Sequence, residues 1–171
     1  MRRITGVIGA MALGAALVSA QAPGGHADLK NAEGQTIGRA TLTQAPSGVL
    51  LHVELTGAPA GEHAFHVHAI GKCEAPGFTS AGGHLNTTSR QHGFLNAQGR
   101  HAGDLPNIWV PDSGRLTFDG FVDHATLESG PESLFDADGA ALVMHAGPDD
   151  YKSDPAGNAG PRLACGIIEK G

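Results

Sequence analysis

Val49-Leu50-Leu51-His52-Val53-Glu54-Leu55 sets Val49, Leu51, Val53 and Leu55 on one face and His52 and Glu54 on the other. Side chains alternate across a strand with period two, so this stretch reads as a half-buried strand. Ile37 to Thr43 reads similarly, with Ala40 and Leu42 inward. The turn clusters Asn31-Ala32-Glu33-Gly34 and Ala45-Pro46-Ser47-Gly48 flank it and suggest hairpins. Further strands are expected at Phe65 to His68, Ile108-Trp109-Val110, Arg115 to Phe121, Ala141 to Met144 and Ala164 to Ile168. Short strands with regular turn signals predict an all-β sandwich or barrel, and nothing after residue 20 supports a helix.

Within Phe65-His66-Val67-His68 the same alternation puts His66 and His68 on one face. Two imidazoles side by side on a rigid strand are half of a metal site. From Gly71 to Asn107 the alternation stops, and a stretch that long without pattern inside one domain is usually functional. It holds His84, His92, His101 and Asp104, spaced by 8, 9 and 3 residues. Three imidazoles and a carboxylate complete a tetrahedral zinc shell, and the ion would order a loop that has no core of its own. The plainer alternative is a solvated loop that happens to be rich in histidine.

At the N-terminus, Arg2 and Arg3 precede an apolar run from Ile4 to Val18, and Val18-Ser19-Ala20 supplies small residues. That order is expected of a secretory signal peptide over residues 1–20, cleaved after Ala20; the run is short for a membrane anchor. Removal leaves 151 residues, 21–171, enough for one domain with one core. Nine basic residues then stand against 17 acidic ones, a net charge of −8. An acidic surface excludes nucleic acid as an expected partner, since phosphate binding needs clustered Lys and Arg. Cys73 and Cys165 are the only two cysteines. An oxidising compartment lets them pair, whereas a reducing one would leave two buried thiols.

Three stretches together resemble the signatures of copper/zinc superoxide dismutase in its bacterial, exported form. They are Gly61-Glu62-His63-Ala64-Phe65-His66-Val67-His68, Gly77-Phe78-Thr79-Ser80-Ala81-Gly82-Gly83-His84-Leu85-Asn86, and Gly157-Asn158-Ala159-Gly160-Pro161-Arg162-Leu163-Ala164-Cys165-Gly166. The likeness runs from about His26 to Ile168. It implies an eight-stranded antiparallel Greek-key barrel or sandwich carrying two long metal-site loops, one copper and one zinc per subunit, and a periplasmic location (secreted if there is no outer membrane).

Carried over residue by residue, the resemblance implies copper on His66, His68, His84 and His145, and zinc on His84, His92, His101 and Asp104. His84 would be shared as an imidazolate. Nitrogen ligands suit copper, and the added carboxylate suits zinc. Asp149 would accept hydrogen bonds from His66 and His92, and Arg162, helped by Lys152, would guide the anionic substrate. The implied reaction turns superoxide into dioxygen and hydrogen peroxide, with copper cycling between Cu(II) and Cu(I) and His84 relaying a proton. No membrane anchor is expected after signal removal. His26, His52, His63 and His124 receive no role beyond surface or packing.

Three positions depart from the family pattern. Ala64 stands for the usual Gly and would crowd the His66 strand, Thr87 for a common Pro and would loosen the loop, and Pro161 would restrict the approach of Arg162. Two other functions fit the residues less well: a copper- or zinc-binding or delivery protein without catalysis, and a zinc hydrolase, for which no general base is evident. Trp109 reads either as core packing or as the anchor of a homodimer.

Overall fold

Residues 24–171 are described by a computed structural model; the signal-peptide reading of residues 1–20 lies outside the described residues. The strands are β1 (Gly24–Asn31), β2 (Thr36–Ala45), β3 (Gly48–Leu55), β4 (Gly61–His63), β5 (Phe65–His68), β6 (Ile108–Val110), β7 (Leu116–Asp123), β8 (Ala141–His145), β9 (Arg162–Ile167) and β10 (Glu169–Lys170). The one helical segment among the described residues is a single 3-10 turn, Thr79–Ala81.

The larger sheet runs β5-β8-β9-β1-β2-β3-β7, with β10 paired to β1; β4 and β6 form a second, two-stranded sheet. All pairings are antiparallel. Gly61 to His68 is one run that passes from one sheet to the other at Ala64. Counted that way, eight strands wall the barrel and β10 is an appendage. Spatial neighbours such as β3 with β7 and β1 with β9 are far apart in sequence, as Greek-key winding requires.

Sequence periodicity explains the packing. In β3, Val49, Leu51, Val53 and Leu55 are buried while Leu50, His52 and Glu54 are exposed. They join Ala27, Leu29, Leu42, Phe65, Leu142 and Met144 in the interior core. β8 is apolar on both faces because Leu142 and Met144 face that core while Ala141 and Val143 face a smaller outer cluster with Phe78, Ala81 and Cys165. Above this outer cluster Cys73 and Cys165 are joined in a disulfide across 92 residues. The bridge pins the segment after β5 to β9, a long-loop closure worth about 4–5 kcal/mol in the chain-entropy account.

The loop from Ala69 to Asn107 is irregular, yet it is fastened to β5 at one junction. Val67 N–H donates to the Gly103 carbonyl, Leu85 N–H to the Val67 carbonyl, and Gly103 N–H to the Leu85 carbonyl, at 2.8–2.9 Å. A Cβ at position 103 would overlap the Val67 carbonyl oxygen, so glycine is required for this close approach. Ala64 is fully buried and exchanges main-chain bonds with Gly147 and His145. Thr87 is tied to another segment, its hydroxyl donating to the His124 carbonyl at 2.8 Å.

Candidate metal centre

β5 presents His66 and His68 outside the barrel core, and the Val67 junction sets the loop residues beside them. Isolated bridges pair His66 with Asp104 and His68 with His84. β8 lies next to β5 and ends in His145, where a register shift between Met144 and His145 turns the strand. Two groups of ligand atoms result, each within 4.8 Å: His66, His68, His84 and His145, and His84, His92, His101 and Asp104. Every one of these residues is buried, and His84 belongs to both groups. The structure thus brings together the seven residues that the sequence singled out.

The hydrogen bonds show which atoms are spoken for. His66 Nε2 meets Asp149 Oδ2 at 2.9 Å, His68 Nδ1 the Gly82 carbonyl at 3.0 Å, and His145 Nδ1 the Gly160 carbonyl at 3.2 Å. These acceptors fix each ring's tautomer and leave the other nitrogen with a lone pair. Accordingly His66 Nδ1, His68 Nε2, His84 Nε2 and His145 Nε2 are buried without a partner. A buried polar atom left unpaired costs about 1–3 kcal/mol, and four such lone pairs converging on one point match a cation that prefers nitrogen.

On the other side Asp104 Oδ1 is the focus. It lies 2.8 Å from His84 Nδ1, 3.1 Å from His92 Nδ1 and 3.3 Å from His101 Nδ1, the last without hydrogen-bond alignment. Asp104 Oδ2 accepts the main-chain N–H groups of Gly93 and His101. Three imidazole nitrogens around one carboxylate fit a tetrahedral zinc shell.

Asp149 joins the two halves, its Oδ1 meeting His92 Nε2 at 2.9 Å. Gly157 lies directly over this bridge with φ of 64°, and a Cβ there would overlap Asp149 Oδ1 and the His92 ring. Arg162 reaches the carbonyls of Phe78 and Gly82, each at 2.6 Å. Pro161 thus leaves Arg162 anchored by the disulfide-bound loop. Lys152 is exposed on the loop that carries Asp149.

Charge follows burial. Desolvation first, then the neighbouring charges of His84, Arg162 and His145, hold His68 at about 2. His145 falls to about 3 and His84 to about 4, chiefly by desolvation. These rings are neutral at pH 7, with lone pairs available. His92 differs: burial lowers it, but the Asp104 and Asp149 carboxylates outweigh burial and raise it to about 9. Burial raises Asp104 and Asp149, yet their imidazole partners hold both well below the usual carboxylate range.

Several contributing residues carried no sequence signal. His63, assigned only packing, is buried with Nδ1 at 2.8 Å from the His145 carbonyl and Nε2 at 3.1 Å from that of Pro59. Asn107 holds the main chain of Asp149 in both directions, Nδ2 donating to its carbonyl and Oδ1 accepting its N–H. Asp154 Oδ1 accepts the His92 N–H at 2.7 Å. His26, His52 and His124 are not buried, as expected.

Comparison with known proteins bears on the same residues. The family described as copper/zinc superoxide dismutase (SODC) matches residues 36–168. A relative named Superoxide dismutase [Cu-Zn] 1, from Aquifex aeolicus (strain VF5), is 51% identical over 146 residues, 84% of this chain and 86% of the relative. Among solved structures, a SOD-like protein from Bacillus subtilis superposes with a TM-score of 0.80 at 34% identity, covering 83% of this chain and 96% of that one. Cu/Zn superoxide dismutase from Brucella abortus superposes with a TM-score of 0.67 at 28% identity, covering 85% and 99%.

The shifted histidines set a pH optimum for the metal-free protein. His68, His84 and His145 titrate lower folded than unfolded, so their stabilisation is present above about pH 6.5 and lost as pH falls from there. His92 titrates higher, so its contribution is complete below about pH 6.5 and lost as pH rises toward its folded value of about 9. The melting midpoint of metal-free protein should peak near about pH 6.5, falling on both sides. A midpoint that keeps rising from pH 6.5 to 9 in differential scanning calorimetry would contradict the His92 environment.

Proposed function

The chain belongs to the copper/zinc superoxide dismutase family, and we propose that copper is held by His66, His68, His84 and His145 and zinc by His84, His92, His101 and Asp104. The activity is disproportionation of superoxide to dioxygen and hydrogen peroxide. The observation that carries the residue assignment is the convergence of four partnerless, buried ring nitrogens on the side where Arg162 lowers the pKa of His68 and His145. Copper held by these residues would supply one-electron redox chemistry, and zinc would be redox-silent.

The protein's own groups do the rest. His84 is the residue common to both groups, so its partnerless Nε2 is the atom that would hold a proton on the copper side, while Nδ1 stays toward Asp104. His84 would thus deliver one of the two protons that hydrogen peroxide needs, the other coming from solvent, which also reprotonates the ring. Asp149 fixes the rings of His66 and His92 through their outer nitrogens, coupling the two centres. Arg162 commits two N–H groups to carbonyls and keeps the rest of its fork for a small anion. Because the surface of residues 21–171 carries −8, attraction of superoxide must be local. Storage or delivery without catalysis is less well supported, since the complete ligand set and Arg162 are both present.

Residues 21–171 loaded with copper and zinc should clear pulse-generated superoxide, and protein loaded with zinc alone should not. His145→Ala should abolish the copper-dependent decay. Arg162→Glu should slow it by about tenfold or more, and added salt should slow the parent more than this variant. Full copper occupancy without decay would favour a binding or delivery role.

The disulfide and the bacterial relatives support export to the periplasm. Expression of the full chain in a bacterium should yield a periplasmic protein beginning at Gln21; a cytoplasmic product retaining Met1 would exclude this route.

A homodimer is supported by one face of the barrel. Trp109 on β6 is 68% exposed, which rules out core packing. It borders a cavity of about 350 Å³ lined by Leu105, Ile108, Leu116 and Phe118. Equilibrium sedimentation should give twice the subunit mass, and Trp109→Ser should shift it toward the monomer. A parent that sediments as a monomer at all concentrations ends this reading.

A further inference from the structure

Three side chains outside both ligand groups close over the zinc side. Arg100 Nη1 approaches the main-chain oxygens of His101 and Asp104, each at 3.3 Å, and its Nη2 donates to Asp123 Oδ2 on β7 at 2.8 Å. The guanidinium lies over the Phe94 ring, with Cζ 4.8 Å from the ring centroid. Phe94 in turn meets Tyr151 edge-on, at 5.7 Å between centroids and 85° between planes.

Tyr151 lies on the other loop, and all of its polar groups are engaged there. Its hydroxyl accepts the Asn107 N–H at 2.6 Å, its carbonyl accepts the Leu95 N–H at 2.8 Å, and its N–H donates to Asp149 Oδ1 at 2.6 Å. A continuous line of contact therefore runs from Asp123 through Arg100, Phe94 and Tyr151 to Asp149. It starts on the barrel, crosses one loop and ends on the carboxylate that couples His66 and His92.

Phe94 is the unexplained member. It is a large apolar side chain, 42% exposed, in a polar loop and outside the core. Its contact with Arg100 lies within one loop, and its contact with Tyr151 joins that loop to the other. We propose that Phe94, gripped between Arg100 and Tyr151, is a clasp that positions the zinc-side residues and sets how fast zinc leaves. The proposal rests on the ligand assignment above. Phe94 touches neither substrate nor metal, so it is a positioning residue. Cation–π and edge-to-face contacts are individually small, and losing both corresponds to roughly a tenfold change in an opening equilibrium.

The test uses residues 21–171 carrying both metals and follows zinc release into excess chromogenic chelator. A parallel series with Co(II) in place of zinc reads site geometry from visible absorption. Phe94→Leu, which keeps apolar bulk and loses the ring, should release zinc about tenfold faster and weaken the Co(II) bands. Phe94→Tyr, which restores a ring, should return both readouts to the parent's. Metal-free melting midpoints should be the same for all three proteins.

Unchanged release in Phe94→Leu overturns the clasp, as does Phe94→Tyr releasing as fast as Phe94→Leu. A matching loss of metal-free stability in Phe94→Leu also overturns it, because the ring would then be ordinary packing. A parent that retains no zinc and gives no tetrahedral Co(II) spectrum overturns the ligand assignment and the clasp together.

Discussion

Six imidazoles and two carboxylates are packed together out of water, and five of their ring nitrogens have no protein partner. Without cations this arrangement is unfavourable: each orphaned nitrogen has given up water for nothing, and desolvation holds three of the rings neutral. The protein cannot relieve it by collapse. Three of the rings, those of His66, His68 and His145, stand on β5 and β8, which are fixed by an apolar core on the other side. Strands that are content without metal thus hold a set of lone pairs that is not, and binding energy goes into completing the site instead of building it.

The loops are the less secure part, and their fastenings are correspondingly many. The three-way main-chain junction at Val67, Leu85 and Gly103 brings His84 and Asp104 to the strand. The Cys73–Cys165 bridge holds the segment that contains the Phe78 and Gly82 carbonyls. Asp149 and Asn107 tie the last loop to the rest. Apolar burial in the first of these loops comes from Phe78, Ala81, Leu85, Ala102 and Leu105, and directed hydrogen bonds hold much of the rest.

What could be read from sequence follows from what kind of signal each part leaves. β3 was plain because four inward positions are branched aliphatics. β1 was not, because its inward positions include Gly25 and Ala27, leaving Leu29 alone to mark the face. Seven ligand-type residues stood out by residue type, since histidine is scarce and chemically narrow. Arg100, Asn107 and Asp154 did not, because they act on main-chain groups and any residue offers those. His63 left no more specific signal for a geometric reason. A continuous strand would set it on the opposite face from His66, but the break at Ala64 ends that alternation and turns its ring toward the His145 carbonyl. Thr87 was judged by the proline it replaces, and its hydroxyl bond across to His124 is a tertiary fact that local sequence does not carry.

Arg162 shows how an acidic protein can present one well-placed cation. The carbonyl of Gly82 accepts both from Arg162 and from Nδ1 of His68, so guanidinium and imidazole are registered against a single oxygen atom. Their separation is then set by hydrogen-bond lengths rather than by the wandering of a long side chain, and the entropy of ordering the arginine is met by the fold in advance. Half-burial lowers the pKa of Arg162, yet a guanidinium starts so high that it stays charged. Beyond a screening length of about 8 Å the negative surface is invisible to a small anion near the site, whereas the guanidinium beside His68 is not. Local order, more than net charge, therefore sets the field at the place where four nitrogens converge.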